Sequence, residues 1–459
     1  MTRWRHPLIG PLLGALLWLG LGTCGLLPEA RNLAGVMACV VFWWVAESLP
    51  LAVSALLGSC ACVLLGVAPA RKVFAAYGDP VIMLFLGSFW LAKAMARHGL
   101  DRRIALRLLS VPSLNRSPAA LMTGLAAAAA MVSAWVSNTA ATAMLLPVVL
   151  GMLSAIPAES RDPRFESRLL LMLAFAASLG GLATPVGTPP NLIGMGMLER
   201  LAGIHLSFFA WMKLGVPLAV VSLAFAVLLL CRRLDAPPGW GGLRRYLDEE
   251  RARIGPWTRG EKATAMALSL AVVLWLFAGE AVPEGVAALL AASLLFVLRD
   301  GHGAPALTWD AACGIDWGVL LLFGGGMSLG GLLFDTKLAD SLGQALASLL
   351  GVRSPFGTAG VSAGLALVTS ELSSNTASAN VAVPTALALA KTTGAAPSYP
   401  ALAATLAASF GFLLPVSTPP NALVYGTGKV RLRDMMRFGL VLDVFGFVLI
   451  WFGLGVLGV

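Results

Sequence analysis

Two polar tripeptides interrupt long apolar runs, and they are the residues whose types and spacing could first do chemistry. The segment SNTAATAMLLP begins at Ser137, and the segment SNTASANVAVP begins at Ser374. Serine, asparagine and threonine favour the N-cap of a helix, because their side-chain oxygens accept hydrogen bonds from free backbone N–H groups. Free N–H groups at a helix start attract anions, and free carbonyls at the end of a preceding helix attract small cations. Each tripeptide therefore predicts a helical hairpin with an ion-binding tip, one in 117–155 and one in 354–390.

A second pair of motifs repeats this device. The segment TPVGTPPN begins at Thr184, and LPVSTPPN begins at Leu414. Consecutive prolines do not fit a helix interior but are favoured in the first helical turn. The motifs therefore predict unwound backbone over 185–188 and 415–418, with helices restarting near Pro189 and Pro419. Unwound backbone in a membrane must be buried in protein or line a cavity.

Charged side chains are nearly missing around these four motifs. Across 131–147, 184–198, 368–390 and 415–428, Glu371 is the only one. An anion bound here would be held by helix N-termini, by hydroxyl and amide groups and by bound cations. Carbonyl and hydroxyl oxygens suit Na⁺ at such broken helices. The pattern predicts a shared site for an anion and sodium, with no cofactor.

The remaining sequence belongs to a membrane protein. Of 459 residues, 58% are apolar and 12% charged, whereas soluble domains are roughly 25% charged. Apolar windows of about 20 residues predict transmembrane helices, since barrel strands would alternate polar and apolar residues. The net charge of +9 comes from basic residues between apolar spans, which membrane topology explains without a nucleic-acid partner. The fold class is therefore an all-α polytopic membrane protein.

Basic residues also predict orientation. Arg3 and Arg5 lie at the N-terminus, and eight basic residues lie in 232–262, so both regions are expected in the cytoplasm. The C-terminus is then expected on the periplasmic or extracellular side. The predicted transmembrane helices, about 11 in all, are 8–27, 31–48, 52–68, 80–96, 168–198, 207–231, 263–281, 284–299, 316–334, 400–428 and 434–456. Each of the two hairpin segments is expected to enter and leave the membrane on the same side.

The motifs also occur in the same order in the two halves of the chain. Ser137 and Ser374 differ by 237 positions, as do Pro147 and Pro384, and the two TPPN motifs differ by 230. An odd number of predicted spans separates equivalent points, which indicates an inverted repeat. The predicted organisation is an N-terminal transmembrane helix over 1–30, a first repeat over 31–231, a basic cytoplasmic linker over 232–262 and a second repeat over 263–459.

Together with WWVAESLP, from Trp43 to Pro50, these motifs resemble the divalent anion/sodium symporter family of dicarboxylate, citrate and sulfate carriers. The resemblance covers nearly the whole chain and implies a homodimeric elevator-type transporter with scaffold and transport domains. It implies one sodium site at Ser133, Ser137, Asn138 and Gly187, and a second at Ser370, Ser373, Asn375 and Ser417. It implies substrate binding by Ser137, Asn138, Thr139, Thr188, Pro189, Ser374, Asn375, Thr376, Thr418 and Pro419.

The expected function is sodium-coupled symport of small divalent anions in a bacterial inner membrane, by alternating access. C4 dicarboxylates such as succinate, malate or fumarate are the favoured substrates. A sodium-independent dicarboxylate exchanger and a sulfate transporter of the same fold remain open, because sulfate and succinate offer the same charge to the same donors.

A serine hydrolase is the rival from another class. GMSLG, from Gly326 to Gly330, matches the nucleophile pattern GxSxG and would use Ser328. That motif needs a strand–turn–helix context and a histidine partner, and here it lies in a glycine-rich apolar span. Close helix packing through small residues is the favoured interpretation, so no enzyme activity is expected.

Three acidic residues lie in or beside the spans. Glu47 is close to Pro50 at a span end and is expected to reach the membrane interface. Glu371 precedes Asn375 by one helical turn and is a candidate for tuning the second cation site. Asp443 has no counterpart in the first repeat and no assigned role.

Overall fold

The computed structural model describes residues 6–232 and 240–456, and the regular structure within these ranges is helical apart from one isolated bridge between Arg299 and Pro305. Arg3, Arg5 and part of the basic linker lie outside the described residues. The α-helices are α1 Ile9–Gly20, α2 Pro28–Ala46, α3 Leu51–Leu64, α4 Ala70–Phe74, α5 Pro80–His98, α6 Leu100–Leu109, α7 Pro118–Ser133, α8 Asn138–Ser154, α9 Pro163–Gly180, α10 Pro189–Ala202, α11 Phe208–Cys231, α12 Trp240–Ile254, α13 Arg259–Phe277, α14 Glu284–Val297, α15 Trp309–Cys313, α16 Trp317–Asp335, α17 Leu338–Leu350, α18 Pro355–Leu372, α19 Asn375–Thr393, α20 Ser398–Ala407, α21 Pro419–Tyr425 and α22 Leu432–Val456.

The predicted spans and hairpins coincide with these helices. Six helical stretches of the described chain are long and apolar enough to cross a membrane, and several shorter apolar helices accompany them. The predicted hairpins are α7–α8 and α18–α19, and the predicted spans 168–198 and 400–428 are each broken into two helices. The all-α membrane fold is therefore confirmed, while the number of membrane crossings stays a prediction.

Both hairpins begin with the same local signal. Ser117 caps α7 by accepting a hydrogen bond from Ala120 N–H at 3.2 Å, and Ser354 caps α18 by accepting one from Gly357 N–H at 3.1 Å. Each serine is followed by a proline at the first helical position, where the missing N–H group costs nothing. The entry to each hairpin is therefore encoded locally, at equivalent places in the two halves.

Two groups of helices pack closely, and α16 of the first group also contacts α10 and α19 beside the second group. In one group α5 packs against α13 and α14, and α3 packs against α2 and α16. In the other group α9 packs against α7, α8 and α11, and α20 packs against α18, α19 and α22. Contacts also cross between the halves, because α8 packs against α21 and α19 packs against α10. Each hairpin thus lies beside the helix that restarts after the other half's TPPN motif.

Polar contacts join loops that the predicted topology puts on the same side of the membrane. Arg97 donates to Thr308, Lys429 forms an ion pair with Glu166 at 2.8 Å, and Arg168 donates to the carbonyl of Arg232. These bonds link the end of α5 to the residue that caps α15, and the first turns of α9 to the residues after α11 and before α22.

Helix α6, between α5 and the first hairpin, is anchored by a buried ion pair. In α6, Arg103 forms a two-pronged bridge to Glu261 at the start of α13, with distances of 2.6 and 2.9 Å, and both residues are less than 5% exposed. Arg103 also donates to the carbonyls of Gly255 and Pro256. Burial by itself raises the pKa of Glu261, but hydrogen bonds from Arg103 and Thr258 together hold that pKa below its ordinary value. Helix α6 is therefore joined to the start of α13 by a charged pair.

Candidate ion and substrate site

The two SNT tripeptides form the tips of the hairpins, as predicted. Ser137 is the N-cap of α8 and accepts a hydrogen bond from Ala140 N–H at 3.3 Å. Ser374 is the N-cap of α19 and accepts one from Ala377 N–H at 3.2 Å. Each tip therefore presents the free amide end of a helix directly after the end of another helix.

Oxygen atoms converge at the first tip. The side-chain amide of Asn138 lies with one terminal atom 2.7 Å from Ser133 Oγ, 3.2 Å from the carbonyl of Ala177 and 3.3 Å from the carbonyl of Gly187. Without a cation, the nitrogen of that amide is the better atom at this position, because it donates to all three oxygens. With the amide oxygen turned inward, four oxygens face one another, which is the environment a hard cation requires.

The second tip has a matching cluster. Ser370 Oγ lies 2.8 Å from Asn375 Oδ1 and 2.8 Å from the carbonyl of Ala408, and Asn375 Nδ2 donates to the carbonyl of Ser409 at 3.4 Å. Ser370 is fully buried. The structure thus brings together Ser133, Asn138 and Gly187 at the first tip, and Ser370 and Asn375 at the second.

Glycine makes the first cluster possible. A Cβ atom on Gly181 would lie 2.4 Å from Asn138 Oδ1, and one on Gly187 would lie 2.5 Å from the carbonyl of Gly181. The equivalent position in the second half, Gly411, has more room, since its nearest neighbour would be Ser370 Oγ at 3.2 Å. The first site is therefore more tightly closed than the second.

The asparagines of the TPPN motifs hold the unwound segments in shape. Asn191 Nδ2 donates to the carbonyls of Gly181 and Thr184, both at 2.8 Å. Asn421 Nδ2 donates to those of Gly411 and Leu414, at 3.0 and 3.1 Å. Both side chains are fully buried. Sequence reasoning used only the prolines of these motifs and missed this role, although a polar residue repeated at the same place in both copies was the available signal.

Comparison with known proteins identifies the family. The model of the sodium:sulfate symporter transmembrane region matches residues 12–457. The chain belongs to this family. A sodium-dependent dicarboxylate transporter, SdcS, of Staphylococcus saprophyticus is 32% identical over 471 residues, covering 96% of this chain and 89% of the relative. SdcS of Staphylococcus aureus strain USA300 is 32% identical over 473 residues, with the same coverage. The relatives are transporters, so this symporter-family chain is a multi-pass membrane transporter and not an enzyme.

A solved structure shows the same fold. The YdaH transporter of Alcanivorax borkumensis matches with a TM-score of 0.57 and 15% identity, covering 86% of this chain and 87% of its own. At this identity the likeness supports the fold of the symporter-family chain and leaves its substrate open.

The other expected substrate residues lie at or near the helix starts of the symporter-family site. Thr188 and Thr418 are the N-caps of α10 and α21 and are buried. Ser137, Thr139 and Pro419 are exposed, while Pro189, Ser374 and Thr376 are partly buried. Within the described residues no hydrogen bond joins the first tripeptide to the second. Ser373 donates to the carbonyl of Thr369 at 2.9 Å, so its hydroxyl points along its own helix in this conformation.

Two carboxyl groups make the second half of the site different from the first. Glu371 accepts hydrogen bonds from Ser417 Oγ at 2.6 Å and from Leu413 N–H at 2.9 Å. Asp443, on α22, accepts one from Phe412 N–H at 3.4 Å. In the first half the position equivalent to Glu371 is Ala134. The carbonyl of Ala134 accepts a hydrogen bond from Thr184 Oγ1. Two carboxyl groups, those of Glu371 and Asp443, therefore lie behind the second tip.

The geometry of Ser328 agrees with a transporter. Its hydroxyl donates to the carbonyl of Val73 at 2.7 Å inside the α16 contact with α4. The histidines whose bonds are described lie elsewhere, with His98 bonded to the carbonyl of Ala306 and His205 paired with Glu199. Ser328 thus has a packing role. Glu47 is exposed at the end of α2.

Proposed function

We propose that this transporter carries small divalent anions together with sodium, and that its substrates are C4 dicarboxylates such as succinate, malate or fumarate in a bacterial inner membrane. The observation that carries the proposal is the matched pair of oxygen clusters, one at each SNT tip. Relatives that match 96% of the chain are named sodium-dependent dicarboxylate transporters, which supports both the ion and the substrate class.

The cation sites use neutral oxygens. Among the described residues no group of three or more His, Cys, Asp or Glu side chains could hold a metal ion. Ser133, Asn138 and Gly187 supply the oxygens for the first Na⁺. Ser370, Asn375 and the backbone at Ser417 supply those for the second. Glu371, hydrogen-bonded to Ser417, adds negative charge behind the second Na⁺. Hydroxyl and carbonyl ligands at a broken membrane helix are suited to a monovalent ion.

The anion binds next to these cations. Neither tip has a cationic side chain nearby in sequence, so the positive potential comes from the amide ends of α8, α10, α19 and α21 and from bound sodium. An attraction of about 3 kcal/mol is expected between unit charges about 6 Å apart at an effective dielectric constant of about 20. Sodium thus raises anion affinity, and the anion raises sodium affinity by the same factor. The substrate residues are the two SNT tripeptides with Thr188, Pro189, Thr418 and Pro419.

Transport follows from the two halves of the chain. We assign α7–α11 and α18–α22 to a transport domain and α1–α5 with α13, α14 and α16 to a scaffold domain, as the packing groups suggest. Inverted repeats supply two equivalent conformations, each open to one side. The transport domain moves against the scaffold in an elevator-type cycle within a homodimer, with the N-terminus in the cytoplasm and the C-terminus outside.

Uptake into proteoliposomes tests the proposal. An inward sodium gradient should accelerate uptake of labelled succinate, and removal of sodium should abolish it. Stimulation by internal dicarboxylate with no effect of sodium would instead show an exchanger. Competition by sulfate without competition by malate or fumarate would show a sulfate carrier.

A further inference from the structure

Three aromatic side chains form a continuous stack beside the first hairpin tip. The ring centroid of Trp135 lies 6.4 Å from that of Phe208 with an interplanar angle of 15°. The Phe208 centroid lies 4.5 Å from that of Trp275 with an angle of 11°. Trp135 precedes the tip residue Ser137, Phe208 is the first residue of α11, and Trp275 lies in the last turn of α13. The stack therefore connects the tip in the first repeat to a helix of the second repeat.

Glu284 forms hydrogen bonds with both Phe208 and Trp275 at the end of the stack. Its carboxylate accepts a hydrogen bond from the backbone N–H of Phe208, and its backbone carbonyl accepts one from Trp275 Nε1 at 3.1 Å. Ser207 separately caps α11 by accepting a hydrogen bond from Ala210 N–H at 3.1 Å. A carboxylate at a helix N-terminus is favoured by the aligned peptide dipoles. One residue of α14 therefore fixes both Phe208 and Trp275.

The stack is buried where it crosses between helices. Phe208 is 0% exposed and Trp275 is 5% exposed. Phe277, only two residues further along α13, is 80% exposed. Trp275 is buried and nearly parallel to its neighbour, so it differs from an aromatic side chain that lies against lipid. Offset stacked rings contribute a favourable free energy in addition to that of burying their surface.

The helices that carry the stack belong to the two different packing groups. Trp135 follows α7, and both α7 and α11 pack against α9. Trp275 and Glu284 lie on α13 and α14, which pack against each other and against α5. The stack therefore lies across the boundary that the proposed transport motion would shear.

We propose that Trp135, Phe208, Trp275 and Glu284 form a clasp that holds the first hairpin tip against α13 and α14 in one transport conformation, and that the clasp opens when the tip moves. This inference rests on the proposed function, because it takes α13 and α14 as fixed and α7, α8 and α11 as moving. Ring stacking acts only at contact distance, so the clasp stabilises the conformation seen here and not the alternative one.

Removing a ring should therefore change the ratio of the two conformations. An aromatic pair contributes enough for about a 2- to 10-fold change in that ratio. Spin labels on Val220 and Val286, after replacement of the native cysteines, place one probe on α11 and one on α14. Both side chains are exposed, at 58% and 46%. Pulsed electron paramagnetic resonance then measures their distance distribution in purified protein without substrate.

The clasp predicts a specific pattern across variants. Trp275→Ala should increase a second distance population by about 2- to 10-fold. Trp275→Phe keeps an aromatic ring but loses the hydrogen bond to Glu284, so its increase should be smaller than that of Trp275→Ala. Phe277→Ala, which removes an exposed ring from the same helix, should leave the distribution unchanged. Glu284→Gln should give a smaller shift in the same direction as Trp275→Ala. If Trp275→Ala does not fold, Phe208→Leu makes the same test.

Two outcomes would overturn the clasp. One is a distribution unchanged by Trp275→Ala, Phe208→Leu and Glu284→Gln in folded protein. The other is an equal shift in Phe277→Ala. The measurement needs no transport. A distribution that shifts as expected in a protein that fails to take up succinate with sodium would contradict the proposed substrate and ion, whereas it would support the motion and the clasp.

Discussion

Asn191 and Asn421 make the same pair of hydrogen bonds in the two halves of the transporter. Each donates its two amide hydrogens to two carbonyls of the unwound segment that precedes its own helix. Those carbonyls are free because the helix stops, so each asparagine replaces hydrogen bonds that a continuous helix would have made. Each break is thus stabilised by hydrogen bonds from the asparagine of the helix that follows it.

Replacing Asn421 by alanine should therefore weaken the fold around the second site. The change leaves the carbonyls of Gly411 and Leu414 without a donor, at a cost of about 1–3 kcal/mol each if water does not reach them. A lower midpoint of thermal unfolding and a large loss of sodium-driven uptake are expected. Gln344→Ala removes an exposed amide from α17 and should change neither quantity. Wild-type unfolding and uptake in Asn421→Ala would contradict this role.

The sodium dependence of uptake should change when Ser133 or Ser370 is replaced. Ser133→Ala and Ser370→Ala each remove one oxygen from a cluster of three or four, so the sodium concentration for half-maximal uptake is expected to rise about tenfold, equivalent to about 1.4 kcal/mol. Ser154→Ala removes an exposed hydroxyl near the end of α8 and serves as control. Uptake measured against sodium concentration decides the matter, and an unchanged half-maximal concentration in both tip variants counts against these sites. Asn138→Ala and Asn375→Ala should each reduce uptake severely.

The two glycines Gly181 and Gly411 should respond differently to the same substitution. In Gly181→Ala the new Cβ would lie 2.4 Å from Asn138 Oδ1, so Asn138 must move and the proposed first sodium site would be distorted. Overpacking of this kind costs about 1–3 kcal/mol, and uptake should fall about tenfold or more. In Gly411→Ala the nearest atom would be 3.2 Å away, and uptake should remain within about twofold of wild type. Equal losses in the two variants would show that the first site is not the tighter one.

The ion pair between Arg103 and Glu261 predicts a stability that depends on pH. Since the folded pKa of Glu261 lies below its ordinary value, the pair stabilises the fold above the unfolded pKa, and this stability is lost as the pH falls through the folded pKa. Arg103→Ala leaves a buried carboxylate and should cost about 3–5 kcal/mol. Thermal unfolding of the purified protein from roughly pH 7 to pH 4 measures both effects.

Arg102 supplies the control for this ion pair. It lies next to Arg103 on α6 and pairs with Glu250 at 2.6 Å, but its side chain is 49% exposed. Its partner Glu250 is buried but keeps a second ion pair with Arg253. Arg102→Ala therefore leaves that carboxylate paired and should change the unfolding midpoint little. Equal destabilisation by the two substitutions would show that burial of the Arg103 pair is not what matters.

Ser328→Ala distinguishes packing from catalysis. The substitution removes one hydrogen bond to the carbonyl of Val73 and should cost about 1 kcal/mol of stability. Sodium-driven uptake should stay within about twofold of wild type. Loss of all uptake in a folded, correctly inserted variant would mean that Ser328 does more than pack α16 against its neighbour.

Local signals in the sequence predicted the helix breaks closely. Pro189 and Pro419 begin α10 and α21, and Ser137 and Ser374 cap α8 and α19. Proline geometry and side-chain capping act within a few residues, so they can be seen without knowing the fold. The division into two repeats and the count of crossings rest on the same signals and remain predictions.

The sequence by itself determined where helices stop, where they restart and that Glu371 is the only charged residue within the four motif segments. Only the tertiary structure decided that Asn138 meets Gly187, that Glu371 faces Ser417 and that Phe208 joins Trp135 to Trp275. Those contacts join residues that are dozens of positions apart in the chain. Capping and periodicity depend on near neighbours, whereas such contacts depend on which helix faces pack together, and that is settled only when all of the helices are in place.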